Sequence, residues 1–195
     1  MIPEPLRVTL AVAKALERMG IPYFVGGSLA SSAHGVARAT LDADIIAKLD
    51  PGQAGRFAKE LGPEYYADVV AIADAAARRS SFNVIHISTA FKVDVFVPRA
   101  TAYADVEMER RQSHVIDQAT GERLAFSTAE DTLLAKLQWY RQGNEVSERQ
   151  WRDVLGILRV TGQGLDGSYL SLWAGELGVT DLLDRALREA GPRAG

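Results

Sequence analysis

Asp42 and Asp44 stand two residues apart in the run Leu41-Asp42-Ala43-Asp44-Ile45-Ile46-Ala47, and Asp94 lies within Phe91-Lys92-Val93-Asp94-Val95-Phe96-Val97. The period-two alternation predicts a strand for each run, and side chains two apart on a strand share a face. Asp42 and Asp44 therefore project together, while Asp94 sits mid-strand between two valines. Aspartate is a poor strand former and is costly to bury without a partner. Three of them in two apolar strands call for a cation. Mg²⁺ or Mn²⁺, hard ions that prefer oxygen ligands, would supply it. A competing reading has the same aspartates capping loops or pairing with Arg38, Lys48 or Lys92 at the sheet end.

The segment upstream bears on that choice. Tyr23-Phe24-Val25 runs into Gly26-Gly27-Ser28, which predicts a strand, a glycine turn and a short helix through His34 that stops at Gly35. Glycine lets the backbone approach a ligand closely, and N–H groups at such a turn favour an anion. Ser28 either caps the helix or turns its hydroxyl to a phosphate oxygen. A phosphate cradle leading back to Asp-x-Asp would set phosphate and metal side by side, as handling a metal–nucleoside triphosphate requires. Arg38 either steadies that triphosphate or pairs with Asp44. Lys92 shares Asp94's face, as a fixed counter-charge or a phosphate contact.

Composition narrows the chemistry further. The chain has 195 residues, 47% hydrophobic and 24% charged, enough for one ordinary globular core with a helical extension. It has no cysteine, which excludes disulfide frameworks, thiolate nucleophiles and iron–sulfur sites. Its 3 histidines, His34, His86 and His114, are too dispersed for a histidine-rich metal centre. The net charge is −3, and residues 1–99 carry 11 Lys+Arg against 10 Asp+Glu, so no basic arm suits a long nucleic-acid groove. The first twenty residues read as an amphipathic helix whose apolar run Lys14 interrupts. The expectation is a cytoplasmic protein with no membrane partner.

Several elements must position these residues. Leu6, Leu10, Ala13 and Leu16 repeat at helical spacing, and Asp50-Pro51 opens a helix that ends near Leu61-Gly62-Pro63. Residues 68–79 suit either an alanine-rich helix or a strand followed by a loop. Residues 82–98 predict a hairpin turning at Thr89-Ala90, and a second hairpin surrounds Ala119-Thr120-Gly121. Beyond that, Thr128 and Ser147 begin capping-box-like helices, and two short helices follow over 165–175 and 180–190. The expected fold class is therefore α+β (mixed α/β): an α/β core over residues 1–126 and a helical C-terminal segment over 127–195. Lys136 and Asp153 fall on amphipathic helices, where charged side chains are ordinarily solvated. Trp139 and Trp151 suit a helix-packing core.

The run from Val25 to Ile45 resembles the signature of the DNA polymerase β-type nucleotidyltransferase superfamily: Gly-Gly-Ser, a short helix, then Asp-x-Asp on the next strand. Asp94 matches its third carboxylate. Within that superfamily the chain is similar to AbiEii-like nucleotidyltransferases of abortive-infection and toxin systems, through Lys92, Glu130-Asp131 with Lys136, and Arg152-Asp153. The resemblance implies a small mixed sheet with helices packed on one face. It also implies an NTP co-substrate, Mg²⁺ or Mn²⁺ on Asp42, Asp44 and Asp94, and nucleotide contacts from Gly26, Gly27, Ser28, Arg38, Lys92 and Lys136. The implied reaction moves a nucleoside monophosphate, by a two-metal mechanism, onto a hydroxyl of a protein side chain, an RNA 3′ end or a small molecule. A toxin setting would add a cognate antitoxin as partner. The rival is a non-catalytic nucleotide-binding or antitoxin-like module that keeps the fold as an interaction surface.

Overall fold

The computed structural model describes residues 2–36 and 39–191. The chain divides into two compact units, one formed by Met1–Leu29 with Ala39–Ser127 and the other by Ala30–Arg38 with Thr128–Gly195.

The first unit is a mixed sheet. Its strands are β1 (Tyr23–Val25), β2 (Asp42–Ala47), β3 (Tyr65–Tyr66), β4 (Ser81–His86), β5 (Phe91–Phe96), β6 (Gln112–Asp117) and β7 (Glu122–Phe126), in the order β3-β4-β5-β2-β1-β7-β6. β2 runs parallel to β5 and β1 parallel to β7, while the other neighbours are antiparallel. Helix α1 (Glu4–Arg18) starts with proline at its first turn, where a missing N–H costs nothing, and buries Val8, Val12, Ala15 and Leu16. Gly20, at φ 69°, ends it. The short α2 (Gly27–Ala33) follows β1.

The alternation expected of β2 is present: Ala43, Ile45 and Ala47 are buried and Asp42, Asp44 and Ile46 partly exposed. The register puts Val93 and Val95 of β5, and Phe82 and Val84 of β4, on the buried face with them. Three helices, α1, α3 (Ala54–Leu61) and α4 (Val69–Arg78), pack against one another and against that sheet. β2, β4 and β5 thus turn one face into an apolar core and leave the other for polar groups.

Residues 68–79 resolve as a helix because Asp68 caps α4, accepting from the Val70 and Ala71 backbone N–H groups. Two elements had no expectation attached to them. β3 is a two-residue edge strand on β4, and α5 (Ala102–Arg110) has its N-terminus capped by Thr101.

The second unit is helical: α6 (Ala129–Gln142), α7 (Glu148–Thr161), α8 (Gly167–Glu176) and α9 (Thr180–Ala190). Thr128, Ser147 and Asp166 cap the first three through their side-chain oxygens. Leu134, Leu137, Val154, Ile157, Leu170 and Leu182 are buried in it. Trp151 is buried as expected, but Trp139 is 52% exposed, so only one of the two tryptophans packs a core. Among the described residues, no helix is long and apolar enough to cross a membrane.

Candidate active site

Parallel pairing of β2 with β5 sets Asp42 beside Lys92 and Asp44 beside Asp94. Neighbouring strands lie about 4.8 Å apart, so these four side chains occupy adjoining positions on the face opposite α1. Pairing of two strands far apart in the sequence thus brings the three aspartates onto one face. Thr40 holds the first of them: its hydroxyl reaches Asp42 O at 2.8 Å and Oδ1 at 3.1 Å.

The glycine turn closes over the same face. Gly26 N–H donates to Asp44 O at 2.9 Å, tying the turn to β2. A Cβ on Gly26 would stand 2.8 Å from Ile46 Cδ1, and one on Gly27 would collide with Asp44 Oδ2. Gly27 also has φ 55°, a left-handed conformation that suits glycine. The two glycines therefore have a reason internal to the protein: they clear the space that Ile46 and the Asp44 carboxylate fill. Ser28 follows, buried, at the start of α2.

Lys92 Nζ lies 2.7 Å from Asp94 Oδ2, with the lysine side chain 40% exposed and the aspartate 17%. The lysine's pKa is raised, first by its hydrogen bond to Asp94 and then, against a desolvation effect, by the charges of Asp94, Asp42 and Asp44. One ammonium thus feels all three carboxylates. Lys48, the other lysine considered for them, is instead bound to Asp105 at 2.6 Å. Arg38 lies outside the described residues.

The donor set is oxygen-rich, with no thiolate, and its chemistry fits a hard cation such as Mg²⁺ or Mn²⁺. In this conformation Lys92 holds an oxygen of Asp94. Among the described residues no group of three or more acids or histidines is gathered as a metal cluster.

Antiparallel pairing of β4 with β5 adds a residue that sequence reasoning missed. Asn83 is the cross-strand partner of Asp94, on the same face and exposed. Only the alternation in Ser81-Phe82-Asn83-Val84 hinted at it, since the register of β4 on β5 decides which residue meets Asp94.

Lys136 has a different setting, in the helical unit. Its ammonium bonds Asp153 at 2.7 Å and Gln150 at 3.2 Å, and the two charged side chains are 5% and 4% exposed. These are not the solvated helix charges that their positions suggested. Asp131 is likewise buried, accepting from the Thr128 and Tyr169 hydroxyls at 2.6 Å each.

No protein-family model matches the sequence, and no curated protein matches it significantly. Solved structures do resemble it. An antigenic nucleotidyltransferase-like protein from Paracoccidioides brasiliensis aligns with 100% of this chain and 96% of its own, at a TM-score of 0.56 and 15% identity. ANT(2″)-Ia in complex with adenylyl-2″-tobramycin aligns over 89% of this chain and 97% of its own, at 0.55 and 12% identity. The lincosamide antibiotic adenylyltransferase LnuA, lincomycin-bound, aligns over 82% and 99%, at 0.50 and 12% identity. At these identities the likeness establishes the fold, which is that of the nucleotidyltransferases.

Proposed function

We propose that this protein is a nucleotidyltransferase that moves a nucleoside monophosphate from an NTP to a hydroxyl acceptor. The observation that carries the reading is the register of β2 on β5. It sets Asp44 beside Asp94 on the face covered by the Gly26-Gly27-Ser28 turn.

Gly27 and Ser28 hold the outer phosphates, the first through its backbone and the second through its hydroxyl. Asp42, Asp44 and Asp94 would hold Mg²⁺ or Mn²⁺, which would supply positive charge to the triphosphate and to the entering oxygen. Lys92 contributes positive charge to the same anion, with Arg38 as a further contact. Asp94 accepts the proton of the acceptor hydroxyl. That oxygen bonds to the α-phosphorus as the bond to the bridging oxygen breaks, and pyrophosphate leaves. Asn83, beside Asp94 on the side away from Asp44, is placed to orient the acceptor. Lys136, which bonds Asp153 and Gln150 in the helical unit, is a further nucleotide contact only on the strength of the resemblance.

A small hydroxylated molecule is the acceptor best supported. The chain has no basic excess to hold a long RNA. It also shares its fold, over 89% and 82% of its length, with proteins solved with adenylyl-2″-tobramycin and with lincomycin.

Incubation with α-labelled NTPs, Mg²⁺ and a whole-cell extract locates the acceptor by where label appears. Label on small molecules fits this reading. Label on RNA or protein would move the assignment to the AbiEii-like toxin type and its cognate antitoxin. Asp94→Asn should still bind nucleotide, while transfer falls about 10²–10⁴-fold, the usual contribution of a general base. Wild-type transfer by Asp94→Asn would leave the non-catalytic binding module as the better reading.

A further inference from the structure

Lys92 occupies a position in which a mobile ammonium and an entering metal ion would compete. It pairs with Asp94 at 2.7 Å, its neighbour across β2 is Asp42, and Asp44 is the neighbour of Asp94. Its stem is flexible and 40% exposed, so the ammonium can leave Asp94 without disturbing the sheet. Asp94 is the more buried partner at 17% and gains most from keeping a cation close.

We propose that Lys92 is a resident counter-ion of the three aspartates, holding Asp94 while the site is free of nucleotide and passing to the triphosphate when it arrives. This rests on the metal-site reading above and assigns Lys92 a regulatory part in it. Metal entry at Asp94 must displace an ammonium, so a divalent ion alone binds weakly. A triphosphate offers that ammonium a new anionic partner, and metal and nucleotide then bind cooperatively. Loading with metal in the absence of substrate is thereby disfavoured.

The test is Mn²⁺ binding, followed by electron paramagnetic resonance, to wild type, Lys92→Met and Lys92→Arg, each with and without α,β-methylene-ATP. Methionine keeps the unbranched stem and removes the charge. Without nucleotide, Lys92→Met should bind Mn²⁺ on the order of fivefold more tightly, the worth of a partly exposed ion pair. With the analogue present, wild type should gain more Mn²⁺ affinity than Lys92→Met does, and Lys92→Arg should follow wild type. In EDTA, Lys92→Met should melt at a lower temperature and show a larger rise on adding Mg²⁺. If methionine prevents folding, Lys92→Gln carries the same expectations.

Equal or weaker Mn²⁺ binding by the nucleotide-free Lys92→Met or Lys92→Gln protein overturns the proposal. So does an undiminished effect of the analogue on either variant. If wild type binds no Mn²⁺ even with the analogue, the metal-site reading itself fails and this inference falls with it.

Discussion

Two groups of buried or half-buried charges in this molecule are built on opposite principles. On the sheet, Asp42, Asp44 and Asp94 share an accessible face with Lys92, whose ammonium is drawn on by all three. In the helical unit, Lys136 and Asp153 face each other at 2.7 Å, almost wholly excluded from solvent, with Gln150 also bonded to the ammonium. The helical pair is matched and closed. The sheet group gathers negative charge where an exchangeable partner can reach it. A matched pair away from water repays its desolvation only through its own geometry, and so it serves packing. Half-buried carboxylates that share a face invite a cation that comes and goes, which is what the proposed chemistry would use.

Breaking the helical pair should have the largest effect. Asp153→Ala leaves the Lys136 ammonium buried without its carboxylate, which costs about 3–5 kcal/mol. Urea unfolding of wild type and variant measures it. The double variant Lys136→Met, Asp153→Leu removes both charges and should recover most of that loss, because no charge is then stranded. If the double variant is as unstable as Asp153→Ala, the pair does more than satisfy itself, and the contrast with the sheet group weakens.

Glycine provides the next test, on the sheet side. Gly20 and Gly27 both have left-handed backbones, at φ 69° and 55°, but a Cβ on Gly20 meets nothing within 4 Å while one on Gly27 meets Asp44. Gly20→Ala should therefore cost only the left-handed penalty, about 1–2 kcal/mol. Gly27→Ala adds a collision, a further ~1–3 kcal/mol, or else relieves it by displacing the Asp44 carboxylate. Thermal melting separates the two variants in stability, and Mn²⁺ binding with nucleotide shows whether Asp44 has moved. Equal losses at both positions would mean that Gly27 is there for its backbone alone.

That comparison also marks how far the sequence could be read. The alternation through residues 41–47 and 91–97 placed the aspartates on strands, because period is a local property, and the resemblance carried by Gly-Gly-Ser with Asp-x-Asp implied the fold. Register is not local. Nothing in Phe82-Asn83-Val84 says that Asn83 meets Asp94, since that depends on how two strands align across the Thr89-Ala90 turn. The same holds for Gly27 at the start of α2, whose close neighbour Asp44 lies on β2. Lys136 and Asp153 looked like solvated helix charges because helical periodicity cannot tell an exposed lysine from one facing a carboxylate on the next helix. β3 was missed because two residues, held to the sheet edge through β4, are too few to show a period.

The smallest expected effect has the opposite sign to the first. Asp42→Asn removes one of three negative charges from the sheet face while keeping an oxygen for the Thr40 hydroxyl. Mutual repulsion among the aspartates falls, and Lys92 retains Asp94. The metal-free variant should therefore be more stable than wild type, by about 0.2–1 kcal/mol, since these groups are partly exposed and water screens them. Raising the salt concentration should shrink the difference, as it does for charges near the surface. In the presence of Mg²⁺ and nucleotide the order should reverse, because wild type gains binding energy that the variant has lost. Melting curves in EDTA and in saturating Mg²⁺ with α,β-methylene-ATP would show both signs. A variant less stable than wild type in EDTA would mean that Asp42 is held by a matched partner, as Asp153 is, and the division between an open, exchangeable site and a closed structural one would not hold.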